Sequence, residues 1–124
     1  SYFSRDSAEA ERLYRALLES WPYETEARVL LLYVLWADGR YEEALVQAEA
    51  LVAQDPGDEV GWSSMADLNL RLGRYDEAEQ AVQKFIGLAP DNPNAHYLLG
   101  ESHLYRGQFD RAAPEYEKAL ALDA

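Results

Sequence analysis

Apolar residues recur along the chain at helical spacing, with intervening polar positions. One clear run has steps of three and four and is formed by Tyr41, Ala44, Leu45, Ala48, Leu51 and Val52. No stretch alternates with period two for long, and residues that favour helix dominate. The pattern predicts no strands and about seven helices, over residues 6–20, 25–38, 41–54, 59–72, 75–88, 93–106 and 109–122.

The predicted helices fall into units that repeat at a constant interval. The segment Gly39–Ala44 returns as Gly73–Ala78 and, less closely, as Gly107–Ala112, with the same step each time. Each glycine is expected to end a helix by adopting positive φ, so a unit consists of a helix, a tight turn, a second helix and another turn. Asp6 and Glu9 resemble a capping box that would begin the first helix. We therefore expect one domain over 1–124, made of a half repeat with only a second helix (1–24) and repeats at 25–58, 59–92 and 93–124.

These units resemble the tetratricopeptide repeat family, whose 34-residue motif has Trp, Leu-Gly, Gly-x-Tyr, Ala and Pro at set positions. The matching residues are Trp62, Leu99-Gly100, Gly39/Tyr41, Gly73/Tyr75, Gly107/Phe109, Ala44, Ala78, Ala112, Tyr116, Ala119, Pro56 and Pro90. The resemblance implies an all-α fold, a right-handed α–α superhelix (solenoid) of antiparallel helix pairs. In this family the first helix of each unit lines a concave face, which binds a peptide or a helix.

Carried over to this chain, that face combines aromatic and aliphatic side chains with three carboxylates and one arginine. It comprises Glu26, Val29, Leu30, Tyr33, Trp36, Ser63, Ser64, Asp67, Leu70, Arg71, Asn94, Tyr97, Leu98, Glu101 and Tyr105. This lining predicts a protein or peptide partner with apolar anchors and net positive charge. Alternatively, the missing first helix of the half repeat, or another part of a parent protein, covers Val29, Leu30 and Tyr33.

One branch of the family grips the C-terminal carboxylate of heat-shock chaperones with Lys, Asn and Arg in this groove. The corresponding places here carry no cation, being occupied by Val29, Tyr33, Ser64, Asn94 and Leu98. Binding of a carboxylate tail is therefore disfavoured.

Composition narrows the possible partners further. The 124 residues carry 23 acidic and 11 basic side chains, for a net charge of −12, which argues against nucleic acid and against docking on an anionic membrane surface. The longest apolar run, Val29–Ala37, is far shorter than the roughly 20 residues that a membrane-spanning helix needs. We expect no membrane insertion and a soluble chain, with the cytoplasm as the favoured compartment.

The sequence gives no pattern typical of a catalytic or metal site. It has no cysteine, and its two histidines, His96 and His103, lie about 10.5 Å apart along one predicted helix axis, too far for one metal ion. Both are expected to be structural. We therefore expect no enzyme activity and no cofactor, and favour a non-catalytic module for protein–protein interaction. The alternatives are a structural or regulatory segment of a larger enzyme or signalling protein, or a self-association module.

The predicted helices at the two ends of the chain carry apolar residues with no predicted neighbour. These residues are Leu13, Tyr14 and Leu17 at one end and Tyr116, Leu120 and Leu122 at the other. An uncapped end of a repeat array exposes an apolar helix face. We therefore expect a fragment that tends to associate end to end.

Overall fold

A computed structural model describes residues 4–123, and within them the chain forms seven α-helices and no strand. Their bounds agree with the predicted ones to within one residue. The first helix, however, begins at Arg5 rather than at Asp6, because the Ser4 hydroxyl accepts the backbone N–H of Ser7 at 3.1 Å and caps it. The helices are α1 (Arg5–Ser20), α2 (Thr25–Ala37), α3 (Tyr41–Gln54), α4 (Glu59–Arg71), α5 (Tyr75–Leu88), α6 (Pro93–Tyr105) and α7 (Phe109–Asp123).

The three repeated glycines end α2, α4 and α6 as the sequence predicts. Gly39, Gly73 and Gly107 have φ values of 78°, 75° and 74°. After α2, the N–H of Arg40 donates to the carbonyl of Leu35 at 2.9 Å, and equivalent bonds follow the other two glycines. This hydrogen bond satisfies a carbonyl that the helix end would leave unpaired, and it requires a left-handed residue just before it.

The chain divides into two compact units between Asp58 and Glu59, which is also a predicted repeat boundary. In the first unit α1 packs on α2 and α2 on α3. In the second unit α4 packs on α5, α5 on α6, and α6 on both α4 and α7. The finer division into a half repeat and three repeats remains a prediction.

An arginine at the α2–α3 turn joins α1 to the rest of the first unit. The Arg40 guanidinium donates to both carboxylate oxygens of Glu11, at 2.6 and 3.0 Å, and also bonds to Glu43. Arg15 adds a bond to Glu11 at 2.9 Å. These cations hold the pKa of Glu11 below its ordinary value, although burial of the carboxyl opposes them.

The second unit has an apolar core between α4, α5 and α6. Its buried members are Ala66, Leu70, Ala78, Ala81, Val82, Phe85, Ala95, Leu98 and Leu99. Gly100 lies against the ring of Tyr116 on α7, where a Cβ atom would stand 2.8 Å from the nearest ring carbon. The absence of a side chain at Gly100 therefore lets α7 place a tyrosine against α6.

Both histidines make hydrogen bonds within the second unit, as the structural interpretation predicts. The two ring nitrogens of His96 lie 3.0 Å from a Glu115 oxygen and 2.8 Å from the Pro90 carbonyl oxygen. His103 Nδ1 lies 3.0 Å from the side-chain oxygen of Gln108. Residues 4–123 hold no group of three or more side chains suited to a metal ion. None of the helices in that range is long and apolar enough to cross a membrane.

Candidate interaction surface

In the first unit, helix α2 presents one buried face and one open face. Leu31, Leu32 and Leu35 are buried in the core. Tyr33, by contrast, is 48% exposed, and Leu30 is also exposed. Glu26 is exposed as well, and the remaining expected lining residues, Val29 and Trp36, are half-buried. Within the described chain, Leu30 and Tyr33 are therefore not covered by another segment.

In the second unit, the expected lining residues gather around Tyr97 on α6. Tyr97 and Tyr105 are 48% and 51% exposed. Arg71 and Asn94 are exposed, while Ser63, Asp67 and Glu101 are half-buried. We call the set Asp67, Arg71, Tyr97, Glu101 and Tyr105 the Tyr97 patch.

Three of the fifteen expected lining residues are not accessible, and the expectation is corrected for them. Ser64 is buried, and Leu70 and Leu98 are members of the core of the second unit. Leu70 of α4 and Leu98 of α6 face neighbouring helices of the unit, because α6 packs on α4 and α5 as well as on α7. Leu70 and Leu98 therefore stabilise the second unit rather than offering a surface, and the buried Ser64 offers none either.

The charge around Tyr97 is negative on balance. The carboxylate of Glu101 raises the pKa of Tyr97, and burial, Asp67 and Tyr105 raise it further, while Arg71 opposes them. Arg71 Nε donates to Asp67 Oδ2 at 3.0 Å, so this cation is paired with a carboxylate of the same helix. The patch therefore offers an aromatic surface in a field that favours a cation.

Tyr116 of α7 supports the Tyr97 patch from behind. Its hydroxyl donates a hydrogen bond to Glu101, and its ring lies 5.7 Å from the ring of Tyr97 at an angle of 56°. Burial, together with the neighbouring Glu101, raises the pKa of Tyr116 well above its ordinary value. The sequence assigned Tyr116 only to helix packing and to the chain end, because its reach across Gly100 to Glu101 depends on the packing of α6 against α7.

An open cleft of about 350 Å³ lies between α6 and α7 beside the Tyr97 patch. It is lined by Pro93, Asn94, Tyr97, Tyr116, Ala119, Leu120 and Asp123. The sequence placed Asn94 and Tyr97 in a groove and Tyr116 and Leu120 at an end face, whereas the structure brings all four together. We call this feature the α6–α7 cleft.

The residues expected to be exposed at the chain ends are partly so. Leu120 and Leu13 are 72% and 52% exposed, and Leu122 is also exposed. Tyr14, Leu17 and Tyr116 are half-buried. Each end thus carries an accessible leucine, and end-to-end association remains a prediction.

Sequence comparison identifies repeats over nearly the whole chain. The family model for the tetratricopeptide repeat matches residues 2–59 and 64–124. An Hsp70-Hsp90 organizing protein from Triticum aestivum is 35% identical over 85 residues, which are 68% of this chain and 15% of that protein. A cytochrome c-type biogenesis protein, CycH, from Bradyrhizobium diazoefficiens is 35% identical over 89 residues, which are 69% of this chain and 24% of that protein. The chain thus spans a quarter or less of the length of these two relatives.

Solved structures of MamA share the fold. One MamA crystal structure superposes on 94% of this chain and 68% of its own, with a TM-score of 0.87 and 24% identity. MamA from Desulfovibrio magneticus superposes on 95% of this chain and 67% of its own, with a TM-score of 0.86 and 24% identity. At this identity the similarity bears on the fold alone, and it confirms the predicted all-α array of helical repeats.

Proposed function

The chain belongs to the tetratricopeptide repeat family, and from this premise we propose that it is a non-catalytic module that binds another protein through the open faces of its first helices. The proposed partner is a peptide or helix with apolar anchors and net positive charge. The observation that carries the proposal is the exposure of Tyr33 in one unit and of Tyr97 and Tyr105 in the other. Tyrosine is enriched among the residues that contribute most to the binding energy of protein interfaces, so these accessible tyrosines support the proposal.

The names of the two relatives are consistent with binding to other proteins, but they do not identify the partner of this chain. One name describes an organiser of two chaperones, and the other describes cytochrome c biogenesis. Because the chain corresponds to a small part of each, it also fits an interaction or regulatory segment of a longer protein. A chaperone carboxylate tail is a poor ligand for these faces, since the one arginine of the Tyr97 patch is paired with Asp67.

Affinity capture with matched tyrosine variants tests the proposal. The wild-type chain, Tyr33→Ala, Tyr97→Ala and Tyr23→Ala are immobilised, exposed to native extract, and the retained proteins are compared by mass spectrometry. Tyr23 is exposed but lies in the turn before α2, and it is not one of the expected lining residues. We expect a retained protein that the Tyr33 or Tyr97 change depletes and the Tyr23 change does not. Equal retention by all four proteins, with unchanged melting temperatures, would contradict the proposal.

Self-association is a second candidate, favoured by the exposure of Leu120 and Leu13 at the two ends. Light scattering over a range of concentrations distinguishes it from partner binding. A mass that rises with concentration in the wild type but not in Leu120→Asp would support a self-association module. A monomer at every concentration would remove this candidate.

A further inference from the structure

We propose that the α6–α7 cleft binds a helix of the partner, which adds to the second unit as α6 adds to α4 and α5, and which places a lysine or arginine against Glu101. The inference rests on the proposed protein-binding function and names the site and the chemistry of its ligand. Three observations carry it: the internal repeat of the unit, the exposure of Leu120 on α7, and the charge of Glu101.

The repeat supplies a template for the docked helix. Tyr116, Ala119 and Leu120 of the cleft lie one repeat length after three core-side residues of α5, namely Val82, Phe85 and Ile86. On α5 those three pack in the cluster that holds α6 through Ala95, Leu98 and Leu99. On α7 Ala119 is buried and Tyr116 is half-buried, but Leu120 is exposed where Ile86 is half-buried. The cleft therefore has the shape and apolar character of a helix-binding face.

The same translation along the repeat predicts which residue of the docked helix meets Glu101. Glu101 lies one repeat length after Asp67, and Asp67 is close enough to Tyr97 of α6 to act on its ionisation. A helix that docked on α6 and α7 in the manner of α6 would place its counterpart of Tyr97 near Glu101. The partner residue at this position must therefore be compatible with the negative charge of Glu101.

Charge selects a basic residue for that position. Asp67 is paired with Arg71, but in the next repeat the counterpart of Arg71 is Tyr105. Within residues 4–123 Glu101 forms no ion pair, and its side chain accepts a hydrogen bond from the Tyr116 hydroxyl. A half-buried carboxylate flanked by tyrosine rings attracts a cation both by charge and through the ring faces. Asp123 at the rim of the cleft adds a second carboxylate.

These positions together give the partner helix a short pattern. The partner residues equivalent to Ala95, Leu98 and Leu99 are expected to be one small residue and two aliphatic residues. The partner residue equivalent to Tyr97 is expected to be lysine or arginine. The predicted pattern is therefore small-x-Lys/Arg-Leu-Leu in an amphipathic helix, with the small residue and the two leucines on the apolar face and the lysine or arginine beside that face. A free C-terminal carboxylate plays no part in this mode of recognition.

A synthetic helix tests the pattern directly. The probe is a fluorescent peptide with the sequence of Pro93–Tyr105 and the change Tyr97→Lys, held helical by a side-chain lactam on its solvent face because so short a helix is marginal alone. The matched control peptide carries Tyr97→Glu. Fluorescence anisotropy with the full chain should show saturable binding of the lysine peptide. The glutamate peptide should bind at least about tenfold more weakly.

Variants of the chain then locate the bound peptide. Leu120→Asp should abolish binding, and Glu101→Gln, which keeps an acceptor for Tyr116, should weaken it about fivefold. Leu13→Asp and Glu49→Gln make the same chemical changes at exposed sites of the first unit. At 0.15 M salt, where distant charges are largely screened, both should leave the affinity within about twofold of the wild type. Circular dichroism checks that each variant is folded.

Other outcomes overturn the inference. If the peptide does not bind, or binds Leu120→Asp as well as wild type, the cleft is not its site. If Leu120→Asp abolishes a dimer of the wild-type chain, a second copy occupies the cleft instead. If the partner found by affinity capture depends on Tyr33 or Tyr97 but not on Leu120 or Glu101, the proposed function stands and this inference fails. If substitutions at all four positions leave the captured proteins unchanged, the proposed function itself is overturned.

Discussion

At the scale of single residues, two different side chains make equivalent hydrogen bonds in the two units. Arg28 donates to the side-chain oxygen of Gln47 at 2.8 Å and to the carbonyl of Pro22 at 2.9 Å. His96 lies two repeats later and contacts the two positions that correspond to these partners. Both ring nitrogens of His96 contact acceptor oxygen atoms. This position therefore favours a side chain that donates hydrogen bonds on two sides, as arginine does.

The equivalence predicts the outcome of a swap. His96→Ala should lower the free energy of unfolding by about 1 kcal/mol or more, because it removes the hydrogen-bond partner of Glu115 Oε2 and of the Pro90 carbonyl. The double change His96→Arg with Glu115→Gln should restore much of that loss, because it copies the Arg28–Gln47 pair. Chemical denaturation of the three proteins measures both effects. A double variant no more stable than His96→Ala would show that the two places are not equivalent.

Glycine positions give a second prediction at this scale. Gly100→Ala should destabilise the chain by about 1–3 kcal/mol, because the new methyl group would overlap the ring of Tyr116 and shift it from Glu101. Gly87→Ala is the matched control, since a Cβ there meets nothing within 4 Å. That change should stabilise α5 by about 0.5–1 kcal/mol, as alanine favours a helix more than glycine does. Thermal melts of the two variants should therefore shift in opposite directions.

At the scale of elements, the attachment of α1 depends on Glu11. Its pKa is lowered by the hydrogen bond from Arg40, against the effect of burial, and further by Arg15. A carboxyl whose pKa is lowered on folding stabilises the folded state above its unfolded pKa, and the benefit is lost as the pH falls through the folded value. Ionised Glu11 therefore contributes at neutral pH and loses its contribution in acid.

The corresponding variant is Glu11→Gln. It should lower the free energy of unfolding by about 1 kcal/mol at pH 7, and the difference from wild type should shrink as the pH falls below about 4. The control is Glu9→Gln on the same helix, whose pairing with Arg12 is exposed to solvent and should make no measurable difference. Urea titrations at several pH values provide the comparison. A difference that stayed constant down to low pH would contradict the assigned role of Glu11.

The helices could be predicted closely because their signals are local. Gly39 and its two repeats mark the ends of first helices, and the apolar spacing in α3 marks its buried face. The open surface was harder to predict, because burial of Leu98 and exposure of Tyr97 depend on how α6 packs between α4, α5 and α7. The contact of Tyr116 with Glu101 depends on the close approach at Gly100. Such contacts join residues on different helices, and helical periodicity does not report them.

At the scale of the whole molecule, the dominant property is the net charge of −12. Charges far from the contact change how quickly a cationic partner arrives, whereas apolar contacts chiefly determine how long it stays. The carboxylates spread over both units therefore contribute to the encounter even where they touch no ligand. Their effect should decrease with added salt, since the screening length falls from about 10 Å at 0.1 M to about 3 Å at 1 M.

The last prediction separates these two contributions. The probe is the lysine peptide extended by three lysines at its N-terminus, which give it a net positive charge. In stopped-flow measurements its association rate constant should fall about tenfold between 0.05 and 1 M salt, while the dissociation rate changes much less. Replacing Glu49 and Glu77, which are exposed and distant from the α6–α7 cleft in sequence, by glutamine should slow association at low salt and leave dissociation unchanged. Leu120→Ala should instead speed dissociation and leave association nearly unchanged, because it removes an apolar contact without changing the charge. A peptide whose association rate is independent of salt would contradict electrostatic steering, even if the peptide binds in the cleft.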